Sequence, residues 1–128
     1  MITFAPAVAE AVEAVRAHFA GHPVEVVADG AGGVFVIVGE VPVGPAYTSS
    51  ATWLGFQVSA AYPDADIYPH YTGLLARADG QPHGPAIQQV QWQNRPAMQI
   101  SRRSNRRDAA VDNVALKAER IRRWLADQ

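Results

Sequence analysis

A chain of 128 residues, 48% of them apolar, is long enough for one domain with a true core and too short for two of ordinary size. It contains no cysteine, which excludes disulfides, thiolate metal sites and thiol nucleophiles and leaves any covalent chemistry to oxygen or nitrogen. No run approaches the roughly 20 apolar residues of a membrane helix, and the start lacks the basic-then-apolar order of a secretory leader, so a soluble, cytoplasmic protein is expected.

Between Phe4 and Ala20 the residues Val8, Val12, Val15 and Phe19 recur at spacings of three and four, with Glu10, Glu13 and Arg16 elsewhere on the wheel. That pattern predicts an amphipathic helix, with Thr3 as its cap, Pro6 tolerated in the first turn and Gly21 at the left-handed stop. Val24 to Ala28 and Val34 to Val38 are β-branched runs joined by Asp29-Gly30-Ala31-Gly32-Gly33 and read as a hairpin. The second run is apolar without alternation, which predicts a strand covered on both faces or central in its sheet. The glycine-rich turn matches no phosphate-binding fingerprint, because no Gly-Lys-Ser/Thr follows and the next element is a strand.

Pro42-Val43-Gly44-Pro45 breaks the pattern, and Tyr47 to Ala51 reads as a loop or short edge. Leu54, Phe56 and Val58 then alternate with Trp53, Gly55, Gln57 and Ser59, predicting a third strand that ends at Tyr62-Pro63. Ile67 to Leu75 offers a fourth, but Pro69 lacks a backbone donor, so its first half must sit at an edge or outside the ladder and only Tyr71 to Leu75 is a clean strand candidate. Breakers from Arg77 to Pro85 mark a surface loop; Ile87 to Trp92 fits a short strand or a packed loop, which Arg95-Pro96 is expected to end. From Asp108 to Ala126 the residues Val111, Val114, Ala118, Ile121 and Leu125 return to helical spacing, with Asp108 as cap and Arg120, Arg122 and Arg123 at the negative end of the dipole. The expected architecture is α+β: an N-terminal helix, an antiparallel four-stranded meander, an irregular segment and a C-terminal helix, with the helices on one side of the sheet.

This order resembles the ubiquitin-conjugating (UBC-like) fold, and more narrowly its divergent bacterial members from ubiquitin-like modification systems. In that family an N-terminal helix precedes a meander, and the third strand runs into a Tyr-Pro pair before a proline-containing crossing to the fourth. Here those are Tyr62-Pro63 and Ile67-Tyr68-Pro69, and the order extends over nearly the whole chain. The bacterial group also carries a Trp-Ser-Arg-His-like segment before an acidic-Asn helix. This chain has Gln99-Ile100-Ser101-Arg102-Arg103, then Asp112-Asn113 and Trp124-Leu125, with Ile100 and Arg103 in the tryptophan and histidine places. Family members that conjugate carry the modifier as a thioester on a cysteine after the fourth strand. No thioester can form here, so the resemblance implies a pseudoenzyme that keeps the surface for a ubiquitin-like modifier, or for its activating or conjugating enzymes.

His70 and His83 flank the expected fourth strand and its loop, where a family active site would lie. Two histidines make a poor metal site even with Asp79 nearby, and no metal or cofactor is expected. A histidine base acting on Thr72, Ser101 or Ser104 would make an oxyester carrier, an alternative in which no spacing selects the hydroxyl. Nine of the 11 basic residues lie from Arg95 onward, and Arg102, Arg103, Arg106 and Arg107 place four guanidinium groups just before the last helix. They suit an acidic protein surface or pairing with Asp64, Asp66 and Asp79. An anionic polymer is a further alternative, although no aromatic interleaves with them as a nucleic-acid binder would require. The expected contact surface is therefore Tyr62, Pro63, Tyr68, His70 and Tyr71 together with those four arginines, while Trp53, Trp92 and Trp124 are assigned to core or edge packing.

Overall fold

The computed structural model describes residues 6–62, 67, 69–84, 86–101 and 114–126. In chain order the elements are α1 (Pro6–His18), β1 (Val24–Ala28), β2 (Val34–Pro42), β3 (Ala51–Val58), β4 (His70–Thr72), β5 (Ile87–Trp92), β6 (Arg95–Ile100) and α2 (Val114–Ala126). The α+β class holds, with a helix at each end of an antiparallel sheet. Among the described residues no helix is long and apolar enough to cross a membrane. The expected caps Thr3 and Asp108 lie outside the described residues.

The sheet has six strands in the order β1-β2-β3-β4-β6-β5. The first four form the expected meander, with β4 at His70–Thr72 in place of the expected Tyr71 to Leu75, and the further correction is a hairpin, β5 and β6, that adds to it through β6. Arg95-Pro96 does not end the strand pattern but starts β6. The turn Gln93-Asn94 takes positive φ at both residues, 51° and 61°, which is the two-residue reversal whose twist suits a hairpin. Proline is tolerated at position 96 because Trp92 and Arg95 close the turn as a hydrogen-bonded pair, so the backbone of the next pair, Gln91 and Pro96, points away from its partner strand. On the other side of β6, β4 reaches only Met98 to Ile100, so no ladder bond is lost there either.

Strand parity divides the sheet into two faces. Val36, Val38, Leu54, Phe56, Met98 and Ile100 face the helices and close a core with Val8, Val12 and Val15 of α1 and Ala118, Ile121 and Leu125 of α2. The two helices contact each other, and His18 at the end of α1 reaches Glu119 of α2 at 3.5 Å. Tyr47 fastens the far end of α2: its buried hydroxyl donates to the Leu125 carbonyl at 2.9 Å. Position 47 is not plain loop, since Tyr47 and Arg77 form an isolated antiparallel bridge supported by bonds from Thr48 to Ala76 and from Ala78 to Ala46.

Candidate functional site

The opposite face of the sheet carries no helix among the described residues. Its side chains are the alternate set: Glu25 and Val27 from β1, Phe35 and Ile37 from β2, Trp53, Gly55 and Gln57 from β3, Tyr71 from β4, Arg95, Ala97 and Gln99 from β6, and Gln88, Val90 and Trp92 from β5. β4 stops at Thr72, so the first half of β6 and the end of β5 extend past it without a ladder partner on that side. The hairpin end bends over the sheet, and Trp92 reaches Gly55 of β3 across two intervening strands in the sheet order.

Glycine at 55 is required by this approach. A Cβ there would meet Trp92 Cη2 at 2.7 Å and Trp53 Cζ3 at 3.0 Å, closer than side chains tolerate. Gly73 plays the same part nearby, because a Cβ at that position would meet Thr52 Oγ1 at 2.8 Å and Trp53 Nε1 at 3.0 Å.

The rings stand as a row. Tyr71 stacks on Trp92 at 4.5 Å between centroids and 10° between planes, and Trp92 on Trp53 at 5.8 Å and 15°. The Arg95 guanidinium lies over the Trp53 ring at 5.3 Å, and Phe35 meets Trp92 edge to face at 6.1 Å. Offset stacks and a cation over indole are both attractive geometries. The row buries Ala97 completely and leaves Ile37 7% exposed, although neither belongs to the helix-packed core. The uninterrupted apolar run of β2 is thus covered on both faces, as its pattern predicted. Phe35, Trp53, Tyr71, Trp92 and Arg95 themselves remain partly exposed. Burial holds the Tyr71 hydroxyl above the usual phenol range, so it stays a neutral donor and acceptor.

The residues expected to carry function are dispersed. His70 is fully buried on the helix side of the sheet, its ring 5.4 Å from Phe56, and so belongs to the core instead of a surface groove. Thr72 is fully buried as well, and its hydroxyl donates to the Gly73 carbonyl at 2.9 Å. His83 lies in a different neighbourhood, donating Nε2–H to the Leu75 carbonyl at 2.7 Å beside Tyr47. The Ser101 hydroxyl accepts from Gln99 at 3.3 Å. Asp79 is taken up by Arg77 at 3.0 Å and by the Gln81 amide, and this arginine partner holds its carboxyl below the usual range. Tyr62 packs against the core edge, whereas Tyr71 alone among the described members of the expected contact set joins the outer row. Pro63, Tyr68, Ser104, Arg102, Arg103, Arg106 and Arg107 lie outside the described residues.

Sequence reasoning assigned Trp53 and Trp92 to packing and omitted Arg95. The signal that places Trp53 outward was present in the Leu54-Phe56-Val58 alternation. Nothing in the sequence order brings Trp92 over Gly55, because the approach depends on β6 lying between β4 and β5. Among the described residues the face offers apolar ring edges, the Arg95 guanidinium, the carboxamides of Gln57, Gln88 and Gln99 and, from β1, the Glu25 carboxylate. Among the described residues no group of three or more His, Asp and Glu side chains could hold a metal ion. No protein-family model, curated protein or solved structure matches the chain.

Proposed function

We propose that this chain is a cysteine-less UBC-like domain acting as a binding or accessory component of a bacterial ubiquitin-like conjugation system, and that it meets its protein partner through the face of the sheet opposite α1 and α2. The observation that carries the binding role is the partly exposed row Tyr71, Trp92, Trp53 and Arg95 on that face. Large amphipathic rings and arginine are the side chains from which protein contact surfaces draw most of their energy. The UBC-like part rests on element order, a helix followed by the consecutive meander β1-β2-β3-β4, and on the absence of a thiol that would make the chain a carrier. The β5 and β6 hairpin is an addition to that plan.

A protein partner is favoured over nucleic acid by the way the rings stand. A base needs an open π-face to stack upon. Here the indole faces of Trp92 and Trp53 are turned to Tyr71, to each other and to Arg95, so these two rings present mainly their edges to a visitor. Edges and a guanidinium suit apolar side chains beside a carboxylate. Of the hydroxyls considered for oxyester transfer, Thr72 is a poor acceptor, because it is buried and hydrogen-bonded away from solvent.

Titration calorimetry of the chain against a ubiquitin-like protein encoded beside it, and against that system's activating enzyme, tests the reading. Specific saturable binding is expected, weakened at least tenfold by Trp53→Ala or Arg95→Ala, which corresponds to about 1.4 kcal/mol or more. Absence of binding to either protein would remove the proposal.

A further inference from the structure

The two edges of the sheet differ in how they are guarded. β1 begins after Pro23 and shows the charged Glu25, whereas β5, Ile87-Gln88-Gln89-Val90-Gln91-Trp92, has neither charge nor proline. Its ladder with β6 runs unbroken through six pairs, so no bulge twists it aside. Charges, prolines and bulges are the devices by which free edges are kept from pairing, and β5 has none of them. Gln88, Gln89 and Gln91 are exposed.

Among the described residues no strand lies beyond β5, and the phase of its outward hydrogen-bonding groups follows from both ends of the hairpin. Trp92 and Arg95 flank a two-residue turn and form a hydrogen-bonded pair, and at the other end the Ser101 amide donates to the Ala86 carbonyl at 2.8 Å. Residues 86, 88, 90 and 92 therefore aim their peptide groups at β6. Gln89 and Gln91 aim theirs outward, while the Ile87 amide is taken by the Gly84 carbonyl at 3.1 Å.

We propose that two copies of this chain join β5 to β5, antiparallel about a two-fold axis normal to the sheet at Val90. Residues opposed in an antiparallel pair lie on the same face, so Gln89 of one copy faces Gln91 of the other, and the reverse. Each of these pairs exchanges two peptide hydrogen bonds, using the outward groups of both residues. Their carboxamides are donor and acceptor at once and satisfy each other in a self-pairing. On the outer face Gln88 meets Trp92 of the second copy. A second copy is the occupant of choice because each cross-joint pair is neutral and the whole chain carries a net charge of only −1, so like-charge repulsion is small. The contact is isologous and closes on itself, leaving no further β5 edge free. It uses the sheet's edge, so that of the aromatic row only Trp92, on the edge strand, borders the second copy.

Sedimentation of the full chain over a range of concentrations is expected to give twice the 13.8 kDa chain mass, falling to a single chain on dilution. Gln89→Pro with Gln91→Pro removes the outward donors without taking a donor from the hairpin. It should abolish the doubled mass with the circular dichroism unchanged, and Gln89→Lys with Gln91→Lys should do the same by setting like charges across the joint. Val90→Cys gives a sharper test, since the chain has no other thiol. Across the joint Val90 faces itself as a non-hydrogen-bonded pair, whose Cα separation of about 4.5 Å permits a disulfide. Val90→Cys should oxidise to a covalent dimer under conditions that leave Glu25→Cys a monomer. A single-chain mass at every concentration, or equal cross-linking of the two cysteine variants, would overturn the proposal.

Discussion

Replacing Gly55 by alanine asks the outer aromatic row for room it does not have. The added Cβ would lie 2.7 Å from Trp92 Cη2 and 3.0 Å from Trp53 Cζ3, where ordinary contacts begin near 3.4 Å. Backbone cannot give way at this point, because Gly55 is paired to Ile37 on one side and Tyr71 on the other. Trp92 must lift from the sheet, and it would leave its stacks with Tyr71 and Trp53, each worth about 0.5–1.5 kcal/mol. Overpacking of this size costs about 1–3 kcal/mol, offset by the roughly 0.5–1 kcal/mol that alanine gains over glycine within a strand. The expected net loss is about 1–2 kcal/mol, read by urea unfolding and by a fall in Tm of about 4 °C per kcal/mol. Near-ultraviolet circular dichroism of the stacked indoles should weaken in parallel. Gly84→Ala is the control, since its Cβ would meet nothing within 4 Å and its effect should stay within about 0.5 kcal/mol. A Gly55→Ala protein as stable as its parent, with unchanged aromatic dichroism, would refute the packing described for this face.

Three other perturbations test the frame that holds that face. Gln93→Asn with Asn94→Gly replaces two residues held at φ 51° and 61° by the pair best suited to such a turn, and should raise stability by about 1 kcal/mol in urea unfolding. Tyr47→Phe removes the bond to the Leu125 carbonyl and should cost about 1–2 kcal/mol, with faster amide exchange confined to the last turn of α2. Glu119 has its carboxyl pKa lowered to about 2 from an ordinary 4.5, first by its hydrogen bonds to Arg122 and then, against the effect of burial, by the Arg122 charge and the contact with His18. A lowered carboxylate pKa stabilises the fold above the unfolded value and loses that contribution as pH falls. Glu119→Gln should therefore cost about 1 kcal/mol at pH 7, a figure kept small because the pair lies close to solvent. The difference between parent and variant should disappear between pH 4.5 and about 2 in acid titrations of stability.

Much of the frame was legible in the sequence because local rules and burial agree there. Val8, Val12 and Val15 mark a helix face, Asp29 to Gly33 a reversal, and Leu54, Phe56 and Val58 one side of a strand. Position 96 misled because proline is an ordinary strand stop, whereas here its missing donor points where no strand stands. The turn at Gln93-Asn94 escaped notice because its first residue is not one that favours positive φ. His70 was placed in a contact surface because it flanks the fourth strand where a family active site would lie, yet the even-numbered side of β4 is the core side, as Thr72 shows by the same burial. Of the candidate face, local pattern turned Trp53 outward but could not show which residues join it. It is assembled from β3, β4, β5 and β6, and only the entry of β6 between β4 and β5 turns Trp92 toward Trp53.

The most direct test of the account follows the backbone and indole amide resonances of the 15N-labelled chain while a neighbouring-encoded ubiquitin-like protein is added. The account predicts that the indole signals of Trp53 and Trp92, and the amides of Tyr71, Arg95 and Gln57, move together and saturate, while Val8, Val12 and Ile121 of the helix layer stay still. Saturating shifts confined to the helix layer, or none at all, would contradict it.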